Sequence, residues 1–164
     1  MLADKVPLYA YPFEGYWKDV GTIDSLWQAN MDLLADEPPI NLRDSKWRIY
    51  SGNQSFPPHL IGPNGSAKSS LIAEGSEILG NVSNSVIFYG VTIKEGARVT
   101  NSVIMPPAVI EENAVIDKAI LGERCHIYPG AVLRNEDGTV AVLGRKAQLK
   151  EDQPEVTVKG EDSL

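Results

Sequence analysis

Between residues 69 and 135 the apolar and polar positions recur with a period that is neither helical nor simply alternating. Ser85 to Asn101 reads SVIFYGVTIKEGARVTN, Ser102 to Lys118 reads SVIMPPAVIEENAVIDK, and Ala119 to Asn135 reads AILGERCHIYPGAVLRN, three gap-free copies of 17 residues. A copy of 15, SLIAEGSEILGNVSN, precedes them from Ser70 to Asn84. Large aliphatics stand six apart in each full copy: Ile87, Ile93, Val99; Ile104, Ile110, Ile116; Leu121, Ile127, Leu133. Two residues ahead of an aliphatic comes a small residue: Val91 and Ala97, Ala108 and Ala114, Cys125 and Ala131. Helices need a period of about 3.6 and plain strands a period of two. A step of six with a small residue at a fixed place predicts a three-sided coil instead, its short strands stacked on those of the next coil about 4.8 Å away. The stacks Ile87/Ile104/Leu121, Ile93/Ile110/Ile127 and Val99/Ile116/Leu133 then form three internal ladders. One coil cannot bury its own face, so several must stack, and four are present. Cys125 shares its slot with Val91 and Ala108, which reads as a small buried hydrophobe, not a reactive thiol.

The neighbour of an inward residue in a strand points outward. Leu71, Val86, Val103 and Ile120 precede the first aliphatic of their coils, so they predict an apolar stripe outside one face. Such a ladder marks an interface with another domain or subunit; strand propensity alone is the competing explanation.

The flanks follow other rules. Residues 1–35 read as strand, turn and helix: Val6 to Trp17 is rich in aromatic and β-favouring residues, and Thr22 is placed to cap a helix over Ile23–Leu34. Ile23, Leu26, Trp27, Met31 and Leu34 share one face of it, with Asn30 the polar exception. That stripe needs a surface from elsewhere. Residues 36–68, punctuated by Pro38–Pro39, Pro57–Pro58 and Gly62–Pro63–Asn64–Gly65, read as an ordered connector anchored by Trp47, Ile49, Tyr50 and Phe56. The coil is assigned to 69–145, with Thr139–Leu143 a short strand candidate, and 146–164 to a poorly packed tail.

Charge narrows the function. With 15 Lys+Arg against 22 Asp+Glu the net charge is −7, which repels a phosphate backbone and argues against nucleic-acid binding. One cysteine excludes an internal disulfide framework. No apolar run approaches the roughly 18–20 residues of a membrane span, and Met1–Ala10 has no signal-peptide pattern; a cytoplasmic protein is expected.

The six-residue step resembles the hexapeptide-repeat proteins, which implies a mainly β fold, a left-handed parallel β-helix. Tyr16–Trp17–Lys18–Asp19–Val20–Gly21–Thr22, followed by Trp27–Gln28–Ala29–Asn30–Met31–Asp32–Leu33–Leu34, looks like the end of the catalytic domain of the bacterial glucose-1-phosphate adenylyltransferases. Trp47–Arg48–Ile49–Tyr50, Pro57–Pro58 and Glu136–Asp137–Gly138–Thr139–Val140 are similar to the same family, over about residues 7–145. The coil would then follow a strand–helix remnant of an α/β nucleotidyltransferase domain.

The resemblance implies a reaction: ATP and glucose 1-phosphate give ADP-glucose and pyrophosphate, for glycogen synthesis. It implies that Asp19 helps hold Mg²⁺ at the reacting phosphates; the competing reading is that Asp19 shapes the turn before the helix. It further implies that the β-helix packs on the catalytic domain, builds a homotetramer and contributes to regulation by sugar-phosphate or phosphate effectors. Arg43, Lys46 and Arg48 are the basic effector candidates, against a plain reading as solvated surface. The family's glycine-rich, Arg-containing ATP loop has no counterpart here, so no complete catalytic site is expected and the chain reads as a C-terminal portion, inactive alone. A non-catalytic regulatory paralogue is one alternative. A hexapeptide-repeat acyltransferase is the other; it needs a catalytic histidine, for which only His59 and His126 are available.

Overall fold

The computed structural model describes residues 7, 9–47 and 55–150. Among them the chain forms one helix, α1 (Ile23–Asp32), and sixteen strands of two or three residues each, collected into three all-parallel sheets. The first sheet has six strands, from Leu60–Ile61 to Gln148–Leu149; the second has five, from Ser66–Lys68 to Val132–Leu133; the third has five, from Leu71–Ile72 to Ala141–Leu143. Each strand pairs only with its equivalents one coil before and after, so the chain winds as a solenoid around a three-sided core.

The expected ladders are the observed ones. Ile87 pairs with Ile104 and Ile104 with Leu121; Ile93 with Ile110 and Ile110 with Ile127; Val99 with Ile116 and Ile116 with Leu133. All of them are buried, as are Val91, Ala97, Ala108, Ala114, Cys125 and Ala131 in the small slots. Removing an aliphatic side chain of this size from water contributes about 1.5–3 kcal/mol, so the ladders supply most of the drive to coil.

A third small slot lies on the remaining corner, and it is polar. The Ser70 Oγ accepts from the Ser85 N–H, the Ser85 Oγ from the Ser102 N–H and the Ser102 Oγ from the Ala119 N–H, each at 3.1 Å. Each hydroxyl donates to a carbonyl two residues back in its own coil. A backbone amide that the ladder cannot reach at the corner is thereby satisfied by a side-chain hydroxyl, half-buried at Ser70 and fully buried at Ser85 and Ser102. Just before these serines, Ser69, Asn84 and Asn101 adopt left-handed backbone at φ 47, 46 and 51, as does Lys118 before Ala119 at φ 47, a conformation asparagine tolerates better than most residues. The short coil saves its two residues at another corner, where Gly80 takes the slot of Ala97; a Cβ there would stand 2.5 Å from the Ala97 carbonyl oxygen, so only glycine fits.

Three boundaries differ from the sequence reading. The solenoid begins at Leu60, inside the stretch assigned to the connector, because Leu60–Ile61 and Ser66–Lys68 continue the hydrogen-bonded ladders without carrying the buried aliphatics that reveal the later coils. It continues to Leu149, beyond residue 145 and into the stretch assigned to the tail. A longer corner hides the last full coil: Val103 pairs with Ile120 seventeen residues on, but Ile120 pairs with Val142 twenty-two residues on. The five additional residues form the 135–139 bulge. Near the N-terminus no strand forms among the described residues before α1. Pro7 and Pro12 lack backbone donors there. Tyr9, Tyr11, Phe13 and Trp17 are exposed.

α1 begins where the cap residues predict. The Thr22 hydroxyl accepts from the Ser25 N–H at 3.1 Å and the Ser25 hydroxyl accepts from the Thr22 N–H at 3.0 Å, a reciprocal capping box. Its apolar face seats on the outside of the third sheet: Leu26, Trp27 and Met31 pack with Val103, Ile120 and Val140, flanked by Phe88 and Met105. The outward stripe is thus a buried second core in this chain. Val103 and Ile120 are fully buried beneath α1, Val86 is buried and Leu71 half-buried.

Candidate functional site

Asp19 lies three residues before the helix cap, on an exposed turn in which its Oδ1 accepts from the Gly21 N–H at 3.0 Å. This bond is the turn-shaping role, and it leaves the carboxylate open to solvent. The residues before it are held by the far end of α1. Tyr16 donates its hydroxyl to Asp32 Oδ2 at 2.8 Å, Lys18 donates to the same oxygen at 2.5 Å, and Gln28 donates to Oδ1 at 2.9 Å. The Gln28 and Lys18 hydrogen bonds, with a smaller one from Tyr16, hold the Asp32 carboxyl down at about 2. Burial and the Asp32 carboxylate push the Tyr16 phenol up. Asp32 is therefore ionised at neutral pH and ties the Tyr16–Lys18 segment to the helix.

The helix is tied in turn to the solenoid. Trp27 donates its indole N–H to the Asn101 carbonyl at 2.7 Å. The Lys118 ammonium lies 5.5 Å from the centre of the Trp27 ring and donates to the Gly138 carbonyl in the bulge. The bulge is braced internally: the Asp137 carboxylate accepts from the Thr139 N–H at 2.9 Å and from its hydroxyl at 2.6 Å, which lowers the Asp137 pKa. It delivers Val140 to the underside of α1.

The remaining sequence candidates lie apart. Arg43 and Lys46 sit on exposed turns closed by Asn41 and Asp44, whose side chains accept from the Arg43 and Lys46 N–H groups. Arg48 lies outside the described residues, as do Ile49 and Tyr50. Trp47, expected as an anchor, is 69% exposed. Phe56 does anchor: its ring lies where a Cβ on Gly75 would be, 2.8 Å away, and stacks on Tyr89 with centroids 5.1 Å apart. Gly75 has φ +71, a second reason for glycine there. His59 is exposed; His126 faces outward as expected, bonded to Glu111 at 2.9 Å and stacked on Tyr128. The Cys125 thiol is buried, donates to the Gly144 carbonyl at 3.0 Å, and is pushed up to about 11 by desolvation.

Sequence reasoning missed Tyr16, Trp27 as a hydrogen-bond donor, Asp32 and Lys118. The only signal for Trp27 was its place on the apolar face of the helix, and contacts across so many residues carry no local pattern.

A solenoid of this repeat carrying a helix and an aspartate turn on one flank defines a recognisable class. The GlmU-like C-terminal hexapeptide family matches residues 57–138, half of the chain, and the nucleotidyl transferase family matches residues 1–36. The chain belongs to the hexapeptide-repeat family and carries a piece of a nucleotidyl transferase domain ahead of the repeats. Among curated proteins it is similar to the glucose-1-phosphate adenylyltransferases of Bacillus mycoides (strain KBAB4), Bacillus cereus (strain ATCC 10987) and Bacillus anthracis, each 52% identical over 136 residues, or 83% of this chain. The resemblance read from the sequence is borne out. The chain spans 36% of the length of these relatives. None of its described helices is long and apolar enough to cross a membrane.

Proposed function

We propose that this chain is the solenoid-bearing part of a glucose-1-phosphate adenylyltransferase that supplies ADP-glucose for glycogen synthesis in the cytoplasm. The observation that carries the reading is the 52% identity to enzymes of that name. In the reaction a phosphate oxygen of glucose 1-phosphate forms a bond to the α-phosphorus of ATP. The bond from that phosphorus to the bridging oxygen of the β-phosphate breaks, and pyrophosphate leaves.

Within this assignment Asp19 is one Mg²⁺ ligand. Its exposed carboxylate is a hard oxygen donor, and Mg²⁺ commonly takes one or two carboxylates together with waters and substrate phosphates. Among the described residues no group of three or more His, Cys, Asp or Glu side chains stands together to hold a metal, so the further ligands belong to nucleotide, solvent or residues outside this set. Bound there, Mg²⁺ would neutralise charge developing on the phosphates. The chain's own residues hold Asp19 in place and give the catalytic domain a rigid seat.

Arg43, Lys46 and Arg48 are proposed to meet phosphate-bearing effectors, and the assembled enzyme is proposed to be a homotetramer. The chain has no glycine-rich, Arg-containing loop to cradle a triphosphate, so it is proposed to be inactive alone. The test is pyrophosphate release from ATP and glucose 1-phosphate. The pure chain is expected to give none, and the same chain behind a complete nucleotidyltransferase domain to give it with Mg²⁺. Turnover by the chain alone, or transfer of an acyl group from acetyl-CoA in place of adenylyl transfer, overturns the reading.

A further inference from the structure

A continuous set of contacts runs from the solenoid to the residue beside Asp19. The bulge carbonyl of Gly138 receives Lys118, and Lys118 lies over Trp27. Trp27 is bonded to the Asn101 corner, whose side chain is itself clamped between the Asn84 amide at 2.8 Å and the Asp117 carboxylate at 3.0 Å. One turn on from Trp27, Asp32 gathers Tyr16, Lys18 and Gln28. Lys18 is followed directly by Asp19. Each bond fixes a different degree of freedom. The indole bond and the cation over the ring set the position of α1 along the solenoid, and the Asp32 cluster sets the Asp19 turn against α1.

We propose that Trp27, Lys118 and Asp32 are positioning residues: they hold the Asp19 turn in register with the solenoid, so that the repeat domain sets the placement of a carboxylate it does not itself carry. The structural half of this stands on the contacts alone; its catalytic consequence rests on the assignment of Asp19 as a Mg²⁺ ligand. A carboxylate that binds a metal gains from being held before the metal arrives, and removal of such supporting contacts commonly costs tenfold or more in metal affinity.

Two measurements separate the halves. On the chain itself, backbone order parameters of the Lys18–Gly21 amides are compared with those of the third-sheet strands. Trp27→Phe, which keeps an aromatic ring on the solenoid but removes the N–H donor together with the second ring of the indole, is expected to lower them from about 0.85 to below about 0.6. Lys118→Met should do the same and Lys118→Arg should restore them, with the third-sheet strands unchanged throughout. Unchanged order at Lys18–Gly21, or an equal fall in the third sheet, overturns the proposal. In the polypeptide that carries this chain behind a complete nucleotidyltransferase domain, Trp27→Phe and Asp32→Asn are expected to raise the half-saturating Mg²⁺ concentration about tenfold, with KM for glucose 1-phosphate unchanged. If Asp19→Asn raises it and Trp27→Phe does not, the relay is overturned. If Asp19→Asn leaves it unmoved while the order parameters fall, the assignment of Asp19 fails and the relay stands.

Discussion

Cys125 shows how much one position can carry. Its place two residues ahead of Ile127, in the slot of Val91 and Ala108, was enough to read it as buried and unreactive, and the structure supplies the cause: no room at the corner and two backbone carbonyls for its S–H. A thiolate there would lose its hydration without gaining a cation. The free thiol ionises near 9 and the folded one near 11. Below 9 both states are neutral and the group is silent. As pH rises from 9 towards 11 only the unfolded chain gains by ionising, so stability falls over that window. Reaction with a disulfide reagent at pH 8 is expected to be at least about a hundredfold slower in native protein than in denaturant, followed by absorbance of the released thiol. Equal rates would place the thiol at the surface. Lys118, by contrast, was not legible: it read as the last letter of a repeat, and its role depends on a ring and a carbonyl brought to it by distant parts of the chain.

The coil is the element the sequence revealed best, because its constraint repeats. A prism this narrow demands an aliphatic and a small residue at every turn, so three copies state the rule three times. Where the rule relaxes the signal fades. Leu60–Ile61 sits on an open sheet edge with both residues exposed, so nothing forces the buried pattern on that strand. The serine slot escaped notice because a buried hydroxyl at a corner resembles an ordinary turn residue. These constraints predict graded costs. Ile110, in the middle of its ladder and fully buried, has coils on both sides that cannot collapse independently. Ile110→Ala is expected to destabilise by about 3–4 kcal/mol, read as a lowered midpoint in denaturant. Ser102→Ala removes the acceptor for the buried Ala119 N–H and should cost about 1–2 kcal/mol in the same measurement. A smaller effect for Ile110→Ala than for Ser102→Ala would contradict this account of the core.

For the whole molecule the informative contact is between the parts. The apolar stripe of α1 and the apolar stripe on the third sheet were each legible as unpartnered faces, but nothing local says that they belong to each other. That pairing changes what a charge at Val103 does. Val103→Glu places a carboxylate in a fully buried site among the apolar side chains of Leu26, Trp27, Met31, Ile120 and Val140. It is expected to lift α1 off the solenoid while the three ladders persist, seen as a red shift of tryptophan emission with an unchanged far-ultraviolet β signal. Retention of the native emission would mean that α1 does not depend on this seat. Asp19, Arg43 and Lys46 were legible as candidates only through resemblance, because exposed polar residues on turns follow no packing rule that a sequence could display.

The bulge at residues 135–139 has a further consequence. A solenoid is a ruler with identical marks, and an amphipathic helix laid along it would find nearly equivalent berths one rung up or one rung down. The five-residue interruption removes that degeneracy: among the described residues one rung offers a carbonyl to Lys118 and a valine rising from beyond the regular coil. An irregularity in the repeat thus acts as the zero of the scale, and deleting it would leave a solenoid that still winds but no longer specifies where its cargo is to be mounted.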